Sequence, residues 1–408
     1  MRARSDTGNP NQVKRKASKM LQRIDGNATE HIDTVVIGGG QAGLAVGYEL
    51  ARQGRDFVIL DAHNRVGDSW RTRWDSLRLF TPASLNGLPG MPFPAPSEQF
   101  PTKDELADYL AAYAARFALP IQLGAQVDEL TRDGDRYLVA AGARRLAANH
   151  VVVATGAYIT PRVPAFAGQL DPAITQLHSL DYCNPGQLRD GPVLVVGAGN
   201  SGAEIALELA ARRPTWLAGR DTGHFPNLFA LGGLASQVGR LAVQGVKLLT
   251  VDTWLGRSML RNARAFRRGH PLVRVQPKHL LAAGVQRVPR VVGASGGQPV
   301  LEDRRVLDVA NIVWATGFVR DLRWMRLLVF DSNGEPLHHR GVVQREPGLY
   351  FIGLPFQSSL LSDRVAGVGA DAKYIVEQIA RRDRAAGPAY AGRLTGNRHA
   401  TSEAEGSS

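Results

Sequence analysis

Short runs of uninterrupted apolar residues alternate with amphipathic stretches along this chain, and glycine-rich breaks separate them. The segment HIDTVVIGGGQAGLAVGYELARQGRDFVILDA, residues 31–62, shows the pattern. A buried apolar run, a glycine turn, helical spacing and a second apolar run predict strand, turn, helix, strand. GPVLVVGAGNSGAEIALELAARRPTWLAGR, residues 191–220, repeats that order. Each copy closes alike: HVVVATGA and NIVWATGF are apolar strands running into Ala154-Thr155-Gly156 and Ala315-Thr316-Gly317. Between the first copy and its closing strand, Thr102 and Glu105 form a capping box for a helix expected to reach about Ala118. Apolar runs at Ile121–Val127, Arg136–Ala140 and Val151–Ala154 predict a small sheet that rejoins the main one. GLYFIG (Gly348–Gly353) predicts a late strand, followed by a helix from about Val368 to Arg381.

These elements predict an α/β protein with two dinucleotide-binding, Rossmann-like domains, the second inserted into the first. The expected boundaries are a basic N-terminal tail at 1–30, a first domain at 31–160, an inserted domain at 161–310, a return segment at 311–381 and a loose tail at 382–408. In the first copy Gly38, Gly40 and Gly43 stand at G-x-G-x-x-G spacing after the strand, with Gln41 and Ala42 opening the helix. The first glycine makes the tight turn, the second lets backbone approach a pyrophosphate, and the third packs helix on strand. The helix N-terminus then offers unpaired N–H groups to phosphate. Asp61 ends the second strand 23 residues after Gly38, placed to accept from a ribose hydroxyl. In the second copy Gly197, Gly199 and Gly202 repeat the spacing around Asn200 and Ser201, and Arg220 stands 23 residues after Gly197. An acid suits a free 2′-hydroxyl and an arginine a 2′-phosphate. The first site therefore reads as FAD or NAD and the second as NADPH, with a solvated surface arginine as the alternative for Arg220.

Composition narrows the class. The 408 residues are 44% hydrophobic and 21% charged, and 44 Gly with 23 Pro show no fixed period, which excludes collagen-like and broadly disordered chains. Cys183 stands alone, so there is no disulfide framework and no Cys-x-x-Cys pair, which fits a reducing, cytoplasmic setting. The net charge of +12 invites nucleic acid or anionic membrane as a partner. Much of it lies in residues 1–30, however, and on Arg257, Arg261, Arg264 and Arg268, spaced for one helix face. That face admits three readings: a solvated surface, an entrance attracting anionic NADPH or substrate, and peripheral membrane contact. No nucleic-acid partner is expected. No signal-peptide core and no run of 18 apolar residues occurs. The sequence has no nucleophile elbow and no metal-ligand cluster, so no metal site is expected.

Paired VVIGGGQAG and VVGAGNSG, GDSWRTRWDSLRLFTP (67–82), both Ala-Thr-Gly turns, and Phe166-Ala167-Gly168 leading to His178 and Tyr182 carry a family resemblance. Over residues 32–380 the chain resembles the flavin-containing monooxygenases, in the bacterial CzcO-like branch near the plant YUCCA enzymes. GLYFIG lacks the Gly-Asp ending of the disulfide reductases that share the architecture. The resemblance implies FAD in the first fold, NADPH in the second, and molecular oxygen with a small lipophilic substrate as reactants. Oxygen transfer would then proceed through a flavin C4a-(hydro)peroxide to nitrogen, sulfur or a carbonyl carbon. It places Trp70 and Arg73 along the flavin, and Thr155, Gly156, Ala315, Thr316 and Gly317 against the cofactors. Asn86 and His178 become the candidates for catalytic contact, although TPASLNGLPGMPFP departs from the animal enzymes' pattern around Asn86. An NAD(P)H-dependent flavin reductase or diaphorase serving a separate acceptor is the second enzymatic reading, and a redox or transport-associated sensor the third. Oligomeric state is left open.

Overall fold

The computed structural model describes residues 29–156, 160–225, 237–239, 241, 243, 245, 249–262 and 271–385. In the first half β1 (Glu30–Ile37), α1 (Gln41–Arg52) and β2 (Phe57–Leu60) follow one another as the apolar pattern predicts. The capping box is formed in both directions at α2 (Lys103–Arg116), where Thr102 Oγ1 accepts from the Glu105 N–H and Glu105 accepts from the Thr102 N–H. Next come β3 (Ile121–Gln122), β4 (Glu129–Asp133), β5 (Arg136–Ala141) and β6 (Arg144–Val153).

The second half holds β7 (Thr160–Pro161), β8 (Thr175–His178), β9 (Val193–Val196), α3 (Asn200–Ala210) and β10 (Thr215–Ala218). It continues through α4 (Trp254–Asn262), α5 (Pro277–Ala282), β11 (Gln286–Val288), the hairpin β12 (Val291–Ser295) and β13 (Gln298–Leu301), β14 (Asn311–Trp314) and β15 (Phe318–Val319). The chain ends with β16 (Leu349–Phe351) and α6 (Val365–Ala385).

Two sheets result. The first runs β3-β2-β1-β6-β5-β4, with β1, β2, β3 and β6 parallel and β4 and β5 antiparallel, and β16 lies parallel to the end of β6. The second is wholly parallel, β11-β10-β9-β14-β8. Strands buried on both faces need apolar runs, and Val193–Val196 and Ile312–Trp314 are such runs. Across β1, Val36 packs toward α1 and α6, whereas Val35 and Ile37 join the opposite core with Leu322, Met325 and Phe351.

Three expected boundaries move. Asn311–Trp314, assigned from sequence to the return segment, pairs with both β8 and β9, so it is a central strand of the second sheet and the return begins beyond it. β1 starts at Glu30, inside the stretch assigned to the tail. α6 runs to Ala385, past Arg381, because Asp383 ties it down: its carboxylate accepts from His150 Nε2 at 2.9 Å and from Arg55 at 2.5 Å. Arg55 also binds Asp33 at 2.6 Å. The group Asp33, His150 and Asp383, compact enough for a metal ion, therefore already holds a cation, and its work is to anchor a helix. Residues 1–28 and 386–408 of the two expected tails lie outside the described residues, as do Arg264 and Arg268.

Candidate functional site

The two glycine turns lie at the carboxyl ends of their sheets' central strands, where open parallel sheets bind ligands. Their backbones match in detail. Gly38 has φ +110° and Gly197 φ +115°, both in the region that favours glycine. A β-carbon on Gly38 would stand 2.5 Å from the Ala154 carbonyl oxygen, and one on Gly197 2.1 Å from that of Ala315. The Ala-Thr-Gly turns therefore touch the first glycine of their own fold. The third glycines pack tighter still, with a β-carbon on Gly43 at 1.9 Å from the Gly38 oxygen and on Gly202 at 1.8 Å from the Gly197 oxygen. At the middle glycines, Gly40 and Gly199, no atom lies within 4 Å of that position, so this side of each turn is open. Neither α1 nor α3 has a side-chain N-cap. Their first N–H groups are thus left without a side-chain acceptor, as a pyrophosphate site requires. Gln41, Ala42, Asn200 and Ser201 occupy these first turns, and Asn200 is further engaged: it accepts from the Val273 N–H at 3.0 Å and donates to the Pro271 oxygen at 3.1 Å.

The ends of β2 and β10 differ. Asp61 accepts from the Gly39 N–H at 2.5 Å and from the His63 N–H and ring at 2.8 Å each. Burial pushes its carboxyl up, but the His63 ring and the two N–H donors more than offset this and hold it below the usual carboxylate range. Oδ2 keeps a lone pair for a ribose hydroxyl. In the second fold the same strand-end position is Gly219, not Arg220. Gly38 N donates to Leu60 O and Gly197 N to Ala218 O, which aligns Asp61 with Gly219. Counting 23 residues from each first glycine missed this because the second connection is one residue shorter. Gly219 has φ +140°, and a β-carbon there would lie 2.9 Å from the Ala198 nitrogen. The acid's place is thus left empty, and the exposed Arg220 follows it.

Trp70, half-buried, donates from Nε1 to Gln41 Oε1 at 3.2 Å, which sets its ring beside the start of α1. Arg73 donates to the Ser69 oxygen and stands 5.7 Å from the Phe318 ring. Asn86 is 1% exposed, and its amide bonds Thr81 Oγ1, Thr81 O and Pro82 O; it shapes its own turn, with both polar side-chain atoms engaged. His178, 4% exposed, accepts the Leu180 N–H at Nδ1 and lies 3.0 Å from the Gly317 oxygen through Nε2. Burial lowers its pKa, so the neutral tautomer with the proton on Nε2 satisfies both bonds. The second closing turn is held further: Arg162 N donates to Gly317 O at 2.9 Å, Thr316 Oγ1 donates to Arg162 O, and β7 pairs with β15 as a two-stranded ribbon. Thr155 and Gly156 of the first turn are half-buried and exposed.

Gly39 was not singled out from the sequence, yet a β-carbon there would meet Asp61 Oδ2 at 2.7 Å. The signal was present as the middle one of three consecutive glycines, where the second fold has Ala198.

A family model described as pyridine nucleotide-disulphide oxidoreductase matches residues 35–217. The CzcO-like oxidoreductase of Geobacillus kaustophilus is 39% identical over 351 residues, covering 85% of this chain and 98% of that protein. The probable indole-3-pyruvate monooxygenase YUCCA3 of Arabidopsis thaliana is 27% identical over 85% of this chain and 86% of its own length. Among solved structures, the flavin-containing monooxygenase from Stenotrophomonas maltophilia superposes with a TM-score of 0.70 at 28% identity, covering 87% of this chain and 99% of that one. The chain belongs to the CzcO-like branch of the flavin-containing monooxygenase family. As a flavin monooxygenase-type oxidoreductase it uses a flavin and a pyridine nucleotide, and the two open glycine turns are the sites in the fold that fit them. Its lone Cys183 shows that the family model matches through the dinucleotide folds and not through a redox-active cysteine pair. Among the described residues no helix is long and apolar enough to cross a membrane.

Proposed function

We propose that this protein is an FAD- and NADPH-dependent monooxygenase that inserts one atom of molecular oxygen into a small lipophilic substrate. The observation that carries the reading is the pair of matched phosphate turns with unlike strand ends. Asp61 suits the ribose of FAD, while Gly219 followed by exposed Arg220 leaves room and charge for the 2′-phosphate of NADPH. Held at the first glycine turn, a flavin would supply hydride acceptance from the nicotinamide and electron transfer to oxygen, chemistry that belongs to the cofactor. The chain's role is to hold and to shield. The first turns of α1 and α3 bind pyrophosphate through backbone N–H groups. Trp70, fixed by Gln41, gives the flavin a rigid aromatic neighbour. Neutral His178 holds the Gly317 turn in place and moves no proton, since both nitrogens are committed.

Monooxygenase relatives and neighbours support this reading over a diaphorase. The test is single-turnover reduction by NADPH without oxygen, followed by labelled oxygen in the presence of amines, thioethers, ketones and 2-oxo acids. One labelled atom in a product is the expected outcome. Rapid flavin reduction with all label leaving as water or hydrogen peroxide would establish the diaphorase instead.

A further inference from the structure

A contact between the two halves is not used by either cofactor turn. The segment 249–256, which lies between β10 and α4 and enters its first turn, reaches across to the loop that follows β16. Val251 N donates to the Ser358 oxygen at 2.8 Å. Asp252 binds Arg340 Nη1 at 2.5 Å and lies 3.5 Å from His339 Nε2. Arg340 is itself held, with its guanidinium 3.9 Å from the Tyr374 ring centroid on α6. The segment has a defined shape: Thr253 Oγ1 accepts from the Gly256 N–H as an N-cap and donates to the Thr250 oxygen, and Arg257 donates to the Asp252 oxygen. Arg340 and Phe356, on the facing loops, have φ +50° and +55°, a conformation costly for side chains other than glycine. Such strain gathers where a segment must be held for function.

The loop beneath borders the first cofactor crevice. Ile352 N donates to the Val153 oxygen, one residue before the Ala154-Thr155-Gly156 turn, and a β-carbon on Gly353 would lie 3.4 Å from Ala42 at the start of α1. Between loop and segment is a cleft lined by Leu249, Val251, Phe356 and Leu360, with Ser358 and Ser359 at its polar side. None of these is charged. The cleft has about 10 Å³ of free space, room for one water molecule, so a substrate group enters only if the segment lifts.

We infer that residues 249–256 form a cover, latched by the Asp252–Arg340 ion pair, over an acceptor pocket that takes a neutral, apolar group. This rests on the monooxygenase reading for its function and on geometry alone for the latch. A 2-oxo acid would bring a carboxylate into a cleft with no cation in its lining, and Arg340 is already paired. Neutral thioethers or ketones match the lining instead.

The test compares the FAD-loaded full chain with Asp252→Ala and, as a variant that keeps the charge, Asp252→Glu. Hydrogen exchange at the Val251 amide should accelerate at least tenfold in Asp252→Ala and stay near wild type in Asp252→Glu. The share of NADPH electrons released as hydrogen peroxide should rise several-fold in Asp252→Ala, while anaerobic flavin reduction is unchanged. Leu360→Trp, which fills the cleft, should abolish oxygenation of methyl phenyl sulfide and cyclohexanone without slowing reduction. Unchanged Val251 exchange in Asp252→Ala overturns the latch. Turnover of phenylpyruvate exceeding that of the neutral probes overturns the substrate class. If the wild type oxygenates none of these probes, the monooxygenase reading fails by itself, and Val251 exchange still decides the latch.

Discussion

The two dinucleotide folds use one backbone solution and diverge at a single strand end. In each, the first glycine turns under its Ala-Thr-Gly partner, the third packs on the first, and the second leaves an open approach. In the first fold the strand end is a buried carboxylate with three N–H donors; in the second it is a glycine with an arginine after it. On the proposed reading, the difference places affinity for a dinucleotide in backbone geometry and choice among dinucleotides in one side chain.

The widest separation between the folds should come from disrupting the shared backbone geometry in each fold separately. Gly43→Val and Gly202→Val each force side-chain carbon into a carbonyl oxygen within 2 Å. Overpacking costs typically about 1–3 kcal/mol, and more against backbone. Gly43→Val should yield protein without bound flavin by visible absorbance. Gly202→Val should keep its flavin and lose NADPH-driven reduction. Identical losses in both would show that the folds do not act separately.

Arg220→Ala addresses the divergent strand end. KM for NADPH should rise tenfold or more, on the order of 1.4 kcal/mol for a charge-assisted contact, with little change for NADH. Equal losses for the two nucleotides would remove Arg220 from the 2′-phosphate. A smaller effect is expected from exchanging the residues beside the strand ends. Gly39→Ala pushes a methyl group against Asp61 and should weaken FAD binding by roughly 1 kcal/mol, measured by titrating apoprotein. Ala198→Gly, its counterpart, has no acid to disturb and should leave NADPH binding within about twofold, set by backbone entropy.

Period and glycine spacing made both folds, the capping box and the Gly-x-Gly-x-x-Gly turns legible, because these are local rules that act within one element or between neighbours. Strand partnership was not local. Asn311–Trp314 reads the same whether it joins the first sheet or the second, and only its pairing with β8 and β9 decides. The alignment of Arg220 with Asp61 failed for a related reason: residue count cannot see a connection one residue shorter, whereas the Gly197–Ala218 hydrogen bond does. The extra turn of α6 depended on Asp383 meeting Arg55 and His150, more than two hundred residues away in each case. Asn86 and His178 carried chemistry-bearing side chains whose bonding is wholly internal, which residue type does not reveal.

The smallest expected effect separates the folds by pH. The closing turn of the second fold is held by His178, whose buried ring is neutral, while no histidine bonds Thr155 or Gly156 among the described residues. A histidine whose folded pKa is depressed binds more protons when unfolded. Its contribution to stability is therefore complete above the unfolded value of about 6.5 and is lost as pH falls from there toward the folded pKa. His338, half-buried with Nδ1 accepting the Gly341 N–H and its pKa lowered to about 4 chiefly by desolvation, adds the same slope on the first-fold side of the molecule. Acidification from pH 7.5 to 5.5 should thus lower Tm in the wild type. His178→Gln, which keeps a donor for Gly317 and cannot titrate, should be less stable at pH 7.5 and lose less on acidification. Exchange at the Arg162 amide, which donates to Gly317, should report this locally: faster at pH 5.5 in the wild type after correction for intrinsic rate, and flat in His178→Gln. A Tm slope unaltered by the substitution would place the acid sensitivity at the other histidines with lowered pKa, His338 and His31, and leave the second closing turn as indifferent to pH as the first.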